Sequence, residues 1–501
     1  MQIERLNLDD VRRAGGPAGV VEQLRELAPT PPALAAQVRE IVRDVSAGGD
    51  EAVLAYTRTH DTAGADPRPL IVAPEELDEA LTQLPMDVVA GLQVAISNVA
   101  EVAQAGVGHD VSVDLPQGQN VTLRELPVGS AAVYVPAGRA PYPSTAVMGV
   151  VTARAAGVLD VVVCSPPGPD GQIDPAVLGA CRLLGVERVY RMGGAQAIAA
   201  LAYGTESVDR VDVIVGPGNL WVQEAKREVS ALVGIDGFAG PSDLMVVLGA
   251  DVGESGASAQ SGVGAQSGVA GKSEVDFAAL DMLAQAEHGA ASLVVAVSSS
   301  SEVLDRLDGS LRACARTRAC NYVEAGEDAE VGGDAEVGED RGEEVEGNLA
   351  EADTAEADLA PFVLVEVSNA RAAIELANAF APEHLQLMGA DIERLSHLVR
   401  NAGCLLVGPS SATAFSDYVA GSNHILPTAG AARFSSGLSA AHFRRRMSVV
   451  QIDPDGAFKL ARAGAPIARA EGFEWHARSM EARAEPPMEV EGDEGAIPGD
   501  A

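Results

Sequence analysis

Four short segments of this 501-residue chain gather the side chains whose types and spacing could do chemistry, each built around one of its eight histidines. In Gln285-Ala-Glu-His288-Gly the amide and the imidazole are three residues apart. On a helix they share one face and can chelate a metal, and a polar pair on a surface helix reads the same way. In Phe380-Ala-Pro-Glu383-His384-Leu, Pro382 suits the first position of a helix, which puts Glu383 and His384 in its opening turn. An adjacent acid and imidazole can divide general acid and base work; they can equally be the capped start of a surface helix. Phe415-Ser-Asp417-Tyr-Val-Ala-Gly-Ser-Asn-His424 is a polar string framed by Gly408-Pro409 and Pro427, the kind of loop that carries function on a rigid scaffold. Glu471-Gly-Phe-Glu-Trp-His476 adds an acid and an imidazole on a helix near the C-terminus, with a solvated helix face as the plain alternative.

Imidazole nitrogen and carboxylate oxygen suit zinc and similar borderline cations. Neither an HExxH nor a paired CxxC signature is present, so a metal would have to be assembled from distant segments. No GxGxxG follows a strand either. Three Gly/Pro-rich strand ends stand in its place: Tyr134-Val-Pro-Ala-Gly138, Gly193-Gly-Ala-Gln196 and Gly216-Pro-Gly-Asn219. Each lets the backbone approach a pyrophosphate at a helix N-terminus, and each is equally a tight strand-to-helix turn. Three of them at successive strand ends point to a cofactor crevice.

The elements that must position these residues show in the periodicity. Residues 31–59 read as helical, with Pro31-Pro32 as the opening and Gly48-Gly49 as the closing signal, and so do 75–106. From 131 onward, short β-branched runs starting at Ala131, Asp160, Glu187 and Val211 end in Gly or Pro. Ala-rich helical segments at 144–156, 175–184 and 195–204 separate them. A second series of runs starts at Asp243, Ala291, Phe362 and Cys404, with helices at 275–287 and 369–379. Strand and helix alternating in this way predict β-α-β units around parallel sheets, in two doubly wound lobes.

Composition narrows the function classes. Hydrophobic residues make up 47% of the chain, enough for a sizeable core, so global disorder is excluded. Asp and Glu number 72 against 35 Lys and Arg, a net charge of −37, which excludes nucleic acid and anionic membrane as partners. Residues 324–358 alone hold fifteen acids and one Arg, and the tail from 485 holds six more acids. The acidic segment and the Gly/Ser/Ala-rich stretch 252–272 read as solvated inserts, the former alternatively as a docking loop for a basic partner. Five scattered cysteines fit a reducing compartment. The N-terminus has no apolar core of signal-peptide length, and no uncharged run approaches the ~20 residues of a membrane span, so a soluble cytoplasmic protein is expected.

Taken together, the motifs closely resemble those of the histidinol dehydrogenases. They are Val133-Tyr-Val-Pro-Ala-Gly-Arg-Ala-Pro-Tyr-Pro-Ser-Thr, Gly193-Gly-Ala-Gln-Ala-Ile, Val215-Gly-Pro-Gly-Asn-Leu-Trp, Ala239-Gly-Pro-Ser-Asp, Gln285-Ala-Glu-His-Gly, Ala381-Pro-Glu-His-Leu and Asp417-Tyr-Val-Ala-Gly-Ser-Asn-His. The resemblance runs from about 34 to 484 apart from the inserts. It implies a homodimer with shared active sites, one Zn2+ per subunit, and oxidation of L-histidinol through L-histidinaldehyde to L-histidine with two NAD+ per turnover. It assigns zinc to Gln285, His288, Asp417 and His476, and catalysis to Glu383 and His384. NAD contacts fall on Tyr134, Gln196 and Asn219. Substrate contacts fall on Ser242, Gln285, His288, His384, Asp417, Glu471 and His476.

The implied fold is α/β: two doubly wound, incomplete Rossmann-like lobes with a helical N-terminal segment and a C-terminal helical extension. Residues 1–128 would pack on the second lobe. Residues 129–240 would form the first lobe with the NAD-binding turns, and 241–410 the second, interrupted by disordered inserts at 252–272 and 324–358. Residues 411–484 would reach the partner's active site, and 485–501 would be an acidic tail. The sequence departs from the family at Asp243, where Glu is common. Two other readings stand beside this one: a catalytically silent relative that docks partners on its acidic loops, and a zinc dehydrogenase for another amino alcohol.

Overall fold

The computed structural model describes residues 3–27, 34–137, 140–237, 242–252, 273–289, 292–327 and 360–484. Most of both inserts and the acidic tail lie outside the described residues. The chain divides into two units, Met1–Val107 with Val128–Phe443, and Gly108–Pro127 with Arg444–Ala501.

The first unit begins with strand β1 (Ile3–Leu6), followed by helices α1 (Leu8–Arg13), α2 (Pro17–Glu26), α3 (Leu34–His60), α4 (Pro74–Gln83) and α5 (Met86–Ala105). Gly48-Gly49 does interrupt the helix: Gly49, at φ +56 and ψ −140, is non-helical and kinks α3, whose second half then runs on to His60. The single helix expected over 75–106 is two, parted at Leu84-Pro85. Helix α5 is long and apolar enough to cross a membrane by length and composition, although Asp87 and Glu101 interrupt it, so that no uncharged run reaches the length of a span. Its Leu92, Ala95 and Val99 are buried in the lobe beneath, while Val94 and Val102 face outward.

Strands β2 (Val111–Asp114) and β3 (Gln119–Pro127) belong to the second unit, and then the first lobe begins. It comprises β4 (Ser130–Tyr134), α6 (Pro143–Ala155), β5 (Asp160–Ser165), α7 (Pro175–Leu183), β6 (Val189–Arg191), α8 (Gly194–Tyr203), β7 (Val213–Val215), α9 (Leu220–Val229) and β8 (Gly234–Ile235). The sheet is parallel, in the order β6-β5-β4-β7-β8. Being covered on both faces, its strands are continuous apolar runs rather than alternating ones. Ala131 and Val133 of β4 point into one core with α6 and α7, and Ala132 and Tyr134 into the other with α3, α8 and α9. Helix α6 presses so close to β4 that a Cβ on Gly149 would meet Val133 Cγ1 at 2.4 Å.

The second lobe repeats the pattern with β9 (Asp243–Leu248), α10 (Glu274–Ala286), β10 (Leu293–Ser298), α11 (Ser301–Glu327), β11 (Phe362–Glu366), α12 (Ala370–Phe380), β12 (His384–Met388), α13 (Ala390–Glu393) and β13 (Cys404–Val407). Its parallel sheet has the order β1-β11-β10-β9-β12-β13. The N-terminal segment therefore does not pack as one body on this lobe. Strand β1 and helices α1 and α2 join it, whereas α3, α4 and α5 pack on the first lobe, because their apolar faces match the two sides of that sheet. A short helix α14 (Thr413–Tyr418) and an irregular stretch to Phe443 complete the unit.

The second unit pairs β3 antiparallel with β2 on one edge and with β14 (Arg444–Ile452) on the other, from Arg444↔Pro127 to Ile452↔Gln119. Helices α15 (Pro454–Ala470) and α16 (Glu474–Glu481) pack on each other through Ala465, Ala468 and Ala477. The expected C-terminal region 411–484 is thus split at Phe443. Its second part shares a sheet with residues 108–127, which the sequence reading had placed in a helical N-terminal region.

Candidate active site

Two places in the first unit are built for chemistry. One is a cavity of about 910 Å³ over the C-terminal ends of β4, β5 and β6. Tyr134, Gln196 and Asn219, the three residues expected to contact NAD, all line it. Tyr134 ends β4 and its Oη accepts from the Gly194 N–H at 3.1 Å, at the start of α8. Asn219 caps α9, its Oδ1 accepting from the N–H groups of Trp221 and Val222 at 3.1 and 3.2 Å. Gln196 in the first turn of α8 donates Nε2 to Asp61 Oδ2 at 3.3 Å.

The turn before α9 is fixed from below. Gly216 sits at φ +120, where a Cβ would strike Tyr134 O at 2.1 Å, so only glycine fits. Its N–H donates to Asp236 Oδ2 at 2.7 Å, and its carbonyl accepts from the fully buried Lys226 Nζ at 2.5 Å. Lys226 and Asp236 pair at 2.6 Å. Helix starts at Gly194 and Asn219 turn partial positive charge toward the space, as a pyrophosphate requires.

The second place lies at the other end of the second lobe, where its strands begin. Glu383 and His384 do not stand in the first turn of a helix, as expected. Ala381 adopts the left-handed conformation that ends α12, and His384 opens β12. The run His384–Met388 is buried on both sides of the sheet, so burial overrides the helix-start signal of Pro382.

Parallel pairing brings β12 beside β9 and so sets Glu383 against Ser242 and Asp243. Ser242 Oγ and the Asp243 N–H, the latter at 3.1 Å, both donate to Glu383 Oε2. The Glu383 N–H donates to Asp243 Oδ1 at 2.5 Å. Gln285, buried in the last turn of α10, donates Nε2 to Ser242 Oγ at 2.6 Å. His384 Nε2 lies 3.1 Å from Asp417 Oδ1 in α14, and His384 Nδ1 is buried with no partner. His424 holds the Asp417 backbone, Nδ1 to carbonyl at 2.7 Å, while its Nε2 meets Thr145 Oγ1 of α6 at 3.1 Å.

The electrostatics follow from this burial. Desolvation pushes the Glu383 carboxyl up to about 7, against the pull of His384 and Ser242. It pushes Asp243 up to about 6, opposed by the Glu383 N–H and by Arg25, whose guanidinium is 4.0 Å away. Burial would lower His384, but the hydrogen bond to Asp417 and the charge of Glu383 outweigh it and hold the imidazole above its ordinary value. Asp417 is the reverse case: burial would raise it, yet His384, His424 and His288 keep it below the usual carboxylate range. His288 is open to solvent just beyond α10, but the surrounding chain still desolvates it and lowers it, so it is the neutral form that prevails.

The structure thus brings together Ser242, Gln285, His288, Glu383, His384 and Asp417. Glu471 and His476 belong to the second unit, exposed at the end of α15 and in α16, where His476 is tilted against Phe473 at 5.2 Å. Among the described residues no three His, Cys, Asp or Glu side chains stand close enough to hold a metal. Sequence reasoning gives no role to Asp61 or Asp243, and marks His424 only as part of a polar loop. A polar pair, Ser242-Asp243, ahead of an apolar run was the one available signal.

Comparison with known proteins points the same way. A family model described as histidinol dehydrogenase matches residues 28–258 and 334–484. The histidinol dehydrogenase of Prochlorococcus marinus (strain MIT 9313) is 36% identical over 451 residues, 90% of each chain. That of Bacillus subtilis (strain 168) is 37% identical over 447 residues, 89% of this chain and 92% of the relative. The crystal structure of histidinol dehydrogenase from Elizabethkingia anophelis superposes with a TM-score of 0.77 at 25% identity, covering 96% of this chain and 98% of that one.

Proposed function

Because the chain belongs to the histidinol dehydrogenase family, oxidoreductases acting on a CH–OH group, we propose that it oxidises L-histidinol to L-histidine with NAD+ in a zinc-dependent reaction. The observation that carries the reading is the buried acid–imidazole pair Glu383–His384 at the head of β12, braced by Ser242, Asp243 and Asp417.

The donors fit a borderline cation. Asp417 is held ionised and His288 neutral, and Gln285 has its amide nitrogen committed to Ser242, which leaves its carbonyl oxygen as the donor. Zinc would be held by Gln285, His288 and Asp417 with His476 of the partner subunit, and when bound would anchor the imidazole and amine nitrogens of histidinol. A metal set shared between chains accounts for the lack of a three-residue cluster among the described residues of one chain. The second unit also exposes Ile467, Phe473 and Trp475, apolar surface of the kind that interfaces cover. The homodimer with shared sites, to which Glu471 would also contribute, rests on these features.

In the reaction, NAD+ bound between Tyr134, Gln196 and Asn219 would supply the hydride acceptor. Asp417 accepts the Nε2 proton of His384 and so fixes the tautomer that leaves Nδ1 free as the base. His384 Nδ1 takes the alcohol proton as hydride leaves carbon. Glu383, with a pKa near about 7, takes a proton from water as that water adds to the aldehyde. Once His384 has released the first proton to solvent, the anionic hydrate left by Glu383 would give its remaining hydroxyl proton to His384 as its hydride leaves carbon, a second NAD+ supplying the acceptor, and the product is the carboxylate. The test is NAD+ reduction by the purified protein with L-histidinol, before and after chelation and after zinc is restored. Turnover that disappears with chelator and returns with zinc is expected; a rate indifferent to chelator would contradict zinc dependence.

A further inference from the structure

In a dinucleotide lobe of this strand order, the end of the second strand is where an acid ordinarily takes the ribose hydroxyls. That strand is β5, and it ends Ser165-Pro166-Pro167-Gly168, without an acid. Three carboxylates nevertheless line the cavity: Asp61, Asp170 and Asp174. Two are committed to backbone. Asp170 Oδ1 accepts from the Gln172 N–H at 3.0 Å, and Asp174 Oδ1 caps α7 by accepting from the Ala176 N–H at 2.8 Å. Asp61 differs from both. It enters from outside the lobe, in the turn after α3, and its Oδ2 accepts not a backbone N–H but a side-chain donor, Gln196 Nε2 at 3.3 Å, while the residue lines the cavity. No Lys or Arg stands among the described lining residues.

The two faces of the sheet indicate which end of a dinucleotide Asp61 meets. Helix α6 belongs to the core on one face and α3 to the core on the other. The acid–imidazole cluster connects to the cavity's lobe through α6, where Thr145 meets His424. The nicotinamide must end near that cluster, so the adenosine half extends toward α3. We propose that Asp61 accepts the hydroxyls of the unphosphorylated adenosine ribose and excludes the 2′-phosphorylated dinucleotide, taking over from α3 a task that β5 leaves undone. A diol offers two donors to the open carboxylate lone pairs, whereas a phosphate brings like charge against a partly desolvated anion. Burial raises Asp61 to about 6, which leaves it mostly ionised at neutral pH.

This inference rests on the cavity being the NAD site, and the experiment separates the two. Holoenzyme kinetics are measured at saturating L-histidinol with NAD+ and with NADP+, for the wild type, Asp61→Asn and Asp61→Ser. The wild type should prefer NAD+. In both variants KM for NAD+ should rise about tenfold with kcat within about twofold, an interaction lost mainly from cofactor binding. The NAD+/NADP+ ratio of kcat/KM should fall at least about thirtyfold, because the like-charge penalty disappears. If Asp61 only braces Gln196, both cofactors suffer alike and the ratio stays; that result, or unchanged kinetics in the isosteric Asn variant, overturns the proposal. A wild type that reduces neither dinucleotide would instead remove the NAD reading itself, and this inference with it.

Discussion

In the first lobe the order β6-β5-β4-β7-β8 puts the working residues where strands end; in the second, β11-β10-β9-β12-β13 repeats that order, and the working residues stand where strands begin. Tyr134 is the last residue of β4, while Asp243 and His384 are the first of β9 and β12. The chemistry of helix ends explains the reversal. Strand C-termini face helix N-termini, which attract phosphate. Strand N-termini face helix C-termini, such as that of α10 carrying Gln285, which suit cations and imidazolium. The second lobe's own anion end is filled from within. Asp391 Oδ2 accepts from the Ala250 N–H at 3.2 Å in the first turn after β9, and a Cβ on Gly249 would meet Asp391 Oδ1 at 1.9 Å. In the proposed reading one topology, used twice, would offer one end to a dinucleotide and the other to a metal and its base.

The largest predicted break in this comparison is His384→Ala. It should lower both oxidations by about 10³–10⁴-fold while zinc content, measured on the purified variant, stays at wild-type level, because His384 is the base and not a ligand. A metal-free variant would place His384 among the ligands instead. Glu383→Gln should cost aldehyde oxidation about 10²-fold and alcohol oxidation far less, since only the former needs an activated water. The wild-type aldehyde step should rise with pH through about 7, as the acting base is the ionised carboxylate, and the Gln variant should lose that rise. Equal losses in the two half-reactions would make Glu383 a brace for His384.

A smaller effect is expected at the opposite end of the fold. Gly216→Ala should move the turn off Tyr134 and raise KM for NAD+ roughly tenfold, leaving the zinc content intact, with a stability loss of ~1–3 kcal/mol in thermal unfolding. If zinc were lost as well, the two ends would not act independently. Smallest of all, trimming 253–272 and 328–358 to short Gly/Ser turns should leave turnover within about twofold. Loop closure depends only logarithmically on length, and neither stretch holds a site residue.

The lobes were legible because fully buried parallel strands announce themselves as apolar runs between Gly/Pro turns; those turns pointed to a crevice, and the resemblance alone assigned NAD to Tyr134, Gln196 and Asn219. The second site was legible residue by residue but not in its geometry. Pro382-Glu383-His384 carries a helix-start signal, and what makes it a strand is pairing with β9, some 140 residues earlier, which no local pattern encodes. For the same reason β14 was missed: its partner β3 is over 300 residues away. Asp61 was not legible, and His424 only as part of a polar string, because each acts on an element other than its own, Asp61 through Gln196 and His424 through the Asp417 carbonyl and Thr145.

The central claim, that the Glu383–His384 pair serves two successive oxidations at one site fed from the first lobe, is tested most directly by stoichiometry. Zinc-loaded protein is given limiting L-histidinol with excess NAD+, and NADH and histidine are counted. Two NADH and one histidine per histidinol are predicted. One NADH with aldehyde accumulating, or none, would contradict the account.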